Sequence, residues 1–286
     1  MALDGITIAA VAAELDSALA GGRISKIAQP ENDELLLTVK SPQGQKKLYM
    51  SASASLPLIY LTDESKQSPM TAPGFCMLLR KHIGNGRITG ISQPGIERII
   101  CLDIEHLDEL GDLCRKKLII EIMGKHSNII FCDDKDTIID SIKHVPAQMS
   151  SVREVLPGRK YFIPDTMSKK NPLSIGEPDF ACALAQKPMP VGKALYTSFT
   201  GISPAVAEEI CHLAGVESAV TAKDISPDVL VHLYRQFSYY VENVRIKHFE
   251  PVIYYDNGAP KEFGALPLSH YDNCKKVTYS SISELL

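Results

Sequence analysis

"GRISKIAQP" occupies residues 22–30, and "GRITGISQP" occupies residues 86–94. Six of the nine positions are identical, at an interval of 64 residues. A phrase repeated within one chain marks a repeated supersecondary unit, so the surroundings of the two copies decide the fold. Before the first copy, Ile8, Val11, Ala12, Leu15 and Leu19 recur at helical spacing, and Gly21 and Gly22 stop the helix. Before the second, Phe75, Leu78, Leu79 and Ile83 mark one helical face, and Gly84 and Gly86 stop it. After each copy a turn carrying Pro30 or Pro94 leads into an apolar strand, "ELLLTV" (34–39) or "RIICLDI" (98–104). A further strand follows in both, "KKLYMSAS" (46–53) and "KKLIIEIM" (116–123).

Each unit therefore reads helix, glycine, strand, proline turn, strand, strand. Extending the interval past the prolines aligns Asp33 with Glu97, Glu34 with Arg98 and Leu35 with Ile99. On that alignment the second unit carries a cation, Arg98, where the first carries an acid. Packing does not require such a reversal of sign. The expected fold class is α+β: a pseudo-duplicated, β-rich N-terminal domain with flanking helices.

Downstream, "NIIFCDD" (128–134) and "TIIDSIKHV" (137–145) read as a hairpin across the turn at 133–136. The breaker-rich stretch 168–179 reads as a domain boundary. Helices are expected over 179–184, 191–198, 204–214 and 227–244. Within them, "SFTGISPAVAEEI" (198–210) joins two helices through a turn at Gly201, with Ser203 suited to an N-cap and Pro204 to the first helical position. This pattern resembles a helix-hairpin-helix, whose amides at Gly201 and Ser203 can meet a phosphate; a plain helical corner explains the same residues. From Pro251 the pattern returns to β, with a hairpin around Asn257-Gly258. Ser281 and Glu284 have capping-box spacing, the start of a helix expected to run on in a longer protein.

A composition 45% hydrophobic and 22% charged is that of a globular chain, and no apolar run approaches the length of a membrane span. No membrane partner is expected. Residues 1–22 lack a basic n-region and are interrupted by Asp4, Glu14 and Asp16, which argues for an amphipathic helix over a signal peptide. Seven cysteines in no CxxC or Cys/His zinc spacing point to reduced thiols in a cytoplasmic protein, with no metal and no cofactor. A net charge of −4 argues against a protein that coats DNA, while leaving room for one basic face.

The ordered motifs "FCMLLRKHI" (75–83), "ERI" (97–99), "EIMGKHSNII" (121–130), "IKHV" (142–145) and "VLPG" (155–158) resemble the NFACT family along essentially the whole chain. That family includes ribosome quality control factors and proteins labelled fibronectin-binding. The resemblance implies an NFACT-N domain over 1–170 and a helix-hairpin-helix domain over 171–246. Over 247–286 it implies a β hairpin and a connection toward a coiled coil. It also implies a fold like that of the formamidopyrimidine DNA glycosylases. Those enzymes use an N-terminal proline amine followed by a glutamate; this chain starts Met1-Ala2-Leu3-Asp4 and has neither, so no catalytic residue and no DNA partner are expected. The implied partners are tRNA, of the alanyl class in bacteria, and a large ribosomal subunit obstructed by peptidyl-tRNA. The implied activity is support of mRNA-independent C-terminal tailing of the stalled chain.

The family's tRNA-binding Asp-Arg pair falls on Glu97-Arg98, and its Glu-Ile-Met motif on Glu121, Ile122 and Met123. Arg98 can fork two bonds to a phosphate or stack on an unpaired base; a strand-end ion pair is the bland alternative. Ile122 is expected to face the core. Gly124 permits a turn expected to expose Lys125, His126, Ser127 and Asn128 together, as donors for phosphate or base edges. Arg80 and Lys81 with His82 end a helix, where they suit either the helix C-terminus or a phosphate. Arg115, Lys116, Lys117, Lys143 and His144 read as solvated strand ends or as one basic face. Two alternatives belong to other classes: a fibronectin-binding surface adhesin, and a catalytically inactive glycosylase-like nucleic-acid-binding module.

Overall fold

The computed structural model describes residues 3–165 and 168–286. Met1 and Ala2, which open the chain where the glycosylases carry their nucleophile, lie outside the described residues. So do Thr166 and Met167, beside the expected domain boundary. The chain forms two compact units. One comprises Val11–Pro94 and Arg98–Thr166; the other comprises Met1–Ala10, Gly95–Glu97 and Met167–Leu285.

The first unit is built on a nine-stranded antiparallel sheet. Its strands are β1 (Arg23–Ala28), β2 (Glu34–Ser41), β3 (Gly44–Ser51), β4 (Leu58–Thr62), β5 (Arg87–Ser92), β6 (Ile99–Leu107), β7 (Leu113–Glu121), β8 (Asn128–Asp133) and β9 (Ile138–Ser141). They are ordered β4-β3-β2-β1-β5-β6-β7-β8-β9. Helix α1 (Gly5–Leu19) precedes β1, and α2 (Gly74–Ile83) precedes β5. The two copies of the repeated phrase are thus the two central strands, and the duplication becomes a local twofold axis between them. The Ile24 amide donates to the Gly86 carbonyl and the Ile88 amide to the Gly22 carbonyl, both at 2.9 Å. Each copy has its bulge at the same place, between Ile24 and Lys26 and between Ile88 and Gly90.

The glycine before each strand is dictated by close approach. A Cβ on Gly22 would lie 2.7 Å from Val39 Cγ1 and 2.9 Å from the Leu19 carbonyl; on Gly86 it would lie 2.9 Å from Ile104 Cγ2 and 3.0 Å from the Ile83 carbonyl. The helices are cross-braced through the same axis. The Asp16 carboxylate of α1 accepts from the Ile91 amide at 2.8 Å, and Arg80 Nε of α2 donates to the Ile27 carbonyl at 2.9 Å. Both bonds satisfy backbone groups on the strand of the opposite copy.

The register corrects one expectation. Leu37 pairs with Ile27 and Leu102 with Ile91, so beyond the prolines the interval is 65 residues. Arg98 therefore matches Asp33 rather than Glu34. The carbonyls of these two residues accept from Ile122 and Ala52, both at 2.8 Å. The reversal of sign survives the shift; the turn of the second copy is simply one residue longer.

The second unit holds α3 (Glu177–Ala185), α4 (Val191–Ser198), α5 (Pro204–Leu213) and α6 (Pro227–Arg245). It also holds a three-stranded sheet of β10 (Val252–Asp256), β11 (Ala259–Gly264) and β12 (Lys275–Thr278), in the order β11-β10-β12. Phe180 stacks on Phe199 at 5.2 Å, and Phe237 tilts against both at 4.9 and 4.8 Å, forming the core between the helices. The last helix, α7 (Ile282–Leu285), is capped by Ser281 Oγ, which accepts from the Glu284 amide at 3.0 Å.

Candidate functional site

Strands β6 and β7 pair from Ile99 opposite Glu121 to Leu107 opposite Leu113. The pairing is extended by the Ile122 amide, which donates to the Arg98 carbonyl. One end of this strand pair therefore carries Arg98 on one side and the 122–128 turn on the other. Arg98 is exposed, and among the described residues its guanidinium forms no hydrogen bond or ion pair. Glu97 is half-buried. Gly124–His126 forms a 3-10 turn with Lys125 and His126 exposed. Ser127 Oγ closes this turn by accepting from the Met123 amide at 2.8 Å. Three cationic or protonatable side chains thus stand in solvent around a rigid strand end, a suitable geometry for an RNA backbone.

The other expected contacts are buried, and the reason is visible in each case. Asn128 is 2% exposed. Its Oδ1 accepts from the Lys143 amide at 3.1 Å, and its Nδ2 donates to the Lys143 carbonyl at 2.9 Å. Ser127 is 1% exposed, so only Lys125 and His126 of the predicted quartet reach solvent. Lys143 is a brace rather than a solvated cation, because its ammonium donates to the carbonyls of Ala52 and Ser127. Ile122 is buried, as expected, and Met123 packs against a cluster of Ile99, Ile119, Ile130, Cys132, Ile138 and Val155.

Glu121 is 1% exposed and forms the centre of a polar cluster beneath the strand end. Both carboxylate oxygens accept from Arg153 Nη2, and Oε1 also accepts from the Tyr161 hydroxyl at 2.9 Å. Arg153 Nη1 donates to the Phe162 carbonyl, and the guanidinium lies 5.3 Å from the Tyr161 ring centre. Burial by itself would lower the Arg153 pKa, but the Glu121 carboxylate outweighs it and the net shift is upward. Burial, followed by the same carboxylate, pushes the Tyr161 phenol far upward. Glu121 is thus held from below by the 146–163 segment, through Arg153 and Tyr161. Sequence reasoning missed Arg153 and Tyr161 because they stand 32 and 40 residues from Glu121, with no periodic signal. A buried-strand glutamate without a local partner was the only clue.

The four candidate phosphate ligands are placed elsewhere in the structure. Arg80 is exposed, but its Nε is committed to the Ile27 carbonyl. Lys81 forms an exposed pair with Glu109 at 3.4 Å. The turn between α4 and α5 does present Ser203 as an N-cap, accepting from the Val206 amide at 3.3 Å. That hydroxyl, however, donates to the Asp4 carboxylate at 2.6 Å, so an internal anion already engages the residue offered to a phosphate. Gly201 has φ +76°, and a Cβ there would lie 2.4 Å from the Ile96 carbonyl. This corner is a packed joint.

No group of three or more His, Cys, Asp or Glu side chains suited to a metal occurs among the described residues. Burial pushes the thiols of Cys101 and Cys132 up to about 12, so neither is an activated nucleophile.

The family described as "NFACT N-terminal and middle domains" matches residues 4–286. The chain belongs to this NFACT family. Among NFACT relatives it is similar to the Rqc2 homolog RqcH of Bacillus subtilis (strain 168), at 36% identity over 100% of this chain and 48% of that protein. It is also similar to the archaeal Rqc2 homolog aRqcH of Methanocaldococcus jannaschii, at 26% identity over 99% of this chain and 41% of the other. The chain thus spans about half the length of these curated relatives. Among solved structures, the N-terminal part of the fibronectin/fibrinogen-binding protein from Streptococcus suis superposes with a TM-score of 0.79 at 30% identity, covering 99% of this chain and 97% of that one. No helix among the described residues is long and apolar enough to cross a membrane.

Proposed function

We propose that this NFACT chain is the tRNA-holding part of a ribosome quality control factor, and that Arg98 is its principal tRNA contact. The observation that carries this reading is the state of Arg98. It is an exposed, unpaired guanidinium on a rigid strand end, at the position where the sister copy carries Asp33. Recruiting an unpaired guanidinium breaks no internal bond when it meets a phosphate or stacks on a base. Lys125 and His126 extend the contact along the RNA backbone. In this reading Glu121 and Ile122 act from beneath, by fixing the height and direction of the strand end.

The whole protein would bind alanyl-class tRNA at large subunits obstructed by peptidyl-tRNA and support C-terminal tailing, in the cytoplasm and without a cofactor or catalytic residue of its own. The RqcH names of the relatives and the unbroken family match support this reading. The test is recovery of tRNA with affinity-purified full-length protein from cells. Arg98→Ala should lose tRNA while folding normally, and Arg98→Lys should retain only part of it, because an ammonium cannot fork. Wild-type tRNA recovery by Arg98→Ala at physiological salt would reject the site.

A second reading, fibronectin binding, is favoured by the name of the Streptococcus suis relative. Saturable binding of the wild-type chain to immobilised fibronectin, unaffected by Arg98→Ala, would support it.

A further inference from the structure

Helix α6 runs alongside the segment 172–175, and between them lies an open groove of about 450 Å³, within the range of small-ligand sites. Its floor is the core, made by Phe237 and Val241. Its walls are tied at both ends. The Tyr234 hydroxyl donates to the Ile175 carbonyl at 3.4 Å, and Arg245 Nη2 donates to the Leu173 carbonyl. Arg245 also pairs with Glu242 at 3.2 Å, so those two charges offset each other. Two rim residues remain uncommitted. Arg235 is exposed and makes no side-chain hydrogen bond or ion pair among the described residues. Tyr239 is 59% exposed, and its ring lies at 86° to that of Tyr240, with centroids 6.0 Å apart. They are one helical turn apart, at i and i+4, and so stand side by side.

An exposed aromatic ring beside a free guanidinium, over an apolar floor, is the combination that receives an unpaired nucleotide: the ring stacks on the base and the cation meets the phosphate. The groove carries a net positive charge once Arg245 and Glu242 cancel, which suits a polyanion and not an acidic-poor apolar peptide. We propose that this groove is a second site, separate from Arg98, that holds one unpaired nucleotide of an RNA, with the base on Tyr239 and the phosphate on Arg235. The choice of RNA, rather than a free nucleotide, rests on the ribosomal reading above; the site itself uses none of the residues of the Arg98 site.

The probe is a fluorescein-labelled single-stranded oligoadenylate of about eight nucleotides, titrated into the full chain and followed by anisotropy at physiological salt, with AMP as competitor. Tyr239→Ala and Arg235→Ala should each weaken binding about tenfold. Tyr239→Phe should preserve it, because the ring face is kept. AMP should compete only weakly. Both residues are exposed, so their variants fold, and circular dichroism checks this. The proposal is overturned if the wild-type chain binds the strand more weakly than about 1 mM. It is also overturned if Tyr239→Ala and Arg235→Ala bind as wild type does, or if AMP displaces the strand at equal concentration. Failure here leaves the Arg98 pull-down untouched, and failure of the pull-down leaves this titration untouched.

Discussion

Replacing Glu121 separates a buried brace from a ligand contact. The side chain is 1% exposed, its partner Arg153 has an 11% exposed side chain, and Tyr161 supplies a further hydrogen bond. Glu121→Ala strands a guanidinium and a phenol beneath the sheet. Breaking a buried pair by removing one partner costs about 3–5 kcal/mol. The three hydrogen bonds, each about 1–3 kcal/mol when charge-assisted, sum to the same order. Against a typical domain stability of about 5–15 kcal/mol this is a large loss, and for a chain of this size it lowers Tm by roughly 10 °C. Glu121→Gln retains one acceptor oxygen but turns an amide NH₂ toward Arg153 or Tyr161, and should cost about 2–3 kcal/mol. Glu121→Gln combined with Arg153→Met should recover at least about 1 kcal/mol relative to the sum of the single variants. Urea unfolding followed by circular dichroism reads the wild type, the three single variants and the double variant. A loss below about 1 kcal/mol for Glu121→Ala, together with loss of tRNA from the pull-down, would refute the brace and restore Glu121 as a direct contact.

Gly201→Ala combines a positive φ with a Cβ 2.4 Å from the Ile96 carbonyl; it should destabilise the second unit by more than about 1 kcal/mol, measured as a lower urea midpoint. Asp16→Ala leaves the Ile91 amide without its acceptor and should cost about 1–3 kcal/mol. Arg80→Ala should cost less, because the Ile27 carbonyl keeps the Cys76 thiol at 3.7 Å. Glu209 is 2% exposed; burial opposes its ionisation, but bonds from His270 and Ser269 outweigh it and hold its carboxyl at about 2, below the ordinary 4.5. Its folded pKa is depressed, so the stabilisation is complete above pH 4.5 and is lost as pH falls toward 2. The loss is of order 3 kcal/mol, and Glu209→Gln should flatten acid unfolding curves over that window.

The parts of this fold legible in the sequence were those written as local period or local repetition. The copies at Gly22 and Gly86, the strands 46–53 and 116–123, and the helices before and after the boundary all follow from spacing within a few residues. The one-residue slip between Arg98 and its counterpart was not legible. A turn can lengthen without altering the flanking pattern, and only the amides of Ala52 and Ile122 reveal which carbonyls correspond. Glu121 and Asn128 were misplaced for a related reason. Polar residues are read as exposed unless a partner is seen, and their partners, Arg153, Tyr161 and Lys143, come from 142–163, a stretch outside the regular helices and strands. The proposal for Arg98 starts instead from a difference between two copies of one motif, a comparison internal to the chain.

The central claim is that tRNA docks at the strand end formed by Arg98 and the turn at Gly124–His126. The most direct test places a photoreactive phenylalanine at Lys125 in the full-length protein, irradiates cells, and sequences the RNA covalently attached to the denatured, purified protein. The account predicts adducts dominated by tRNA, abolished when Arg98→Ala is introduced in the same chain. Adducts with ribosomal RNA or protein alone, or tRNA adducts that persist undiminished with Arg98→Ala, would contradict it.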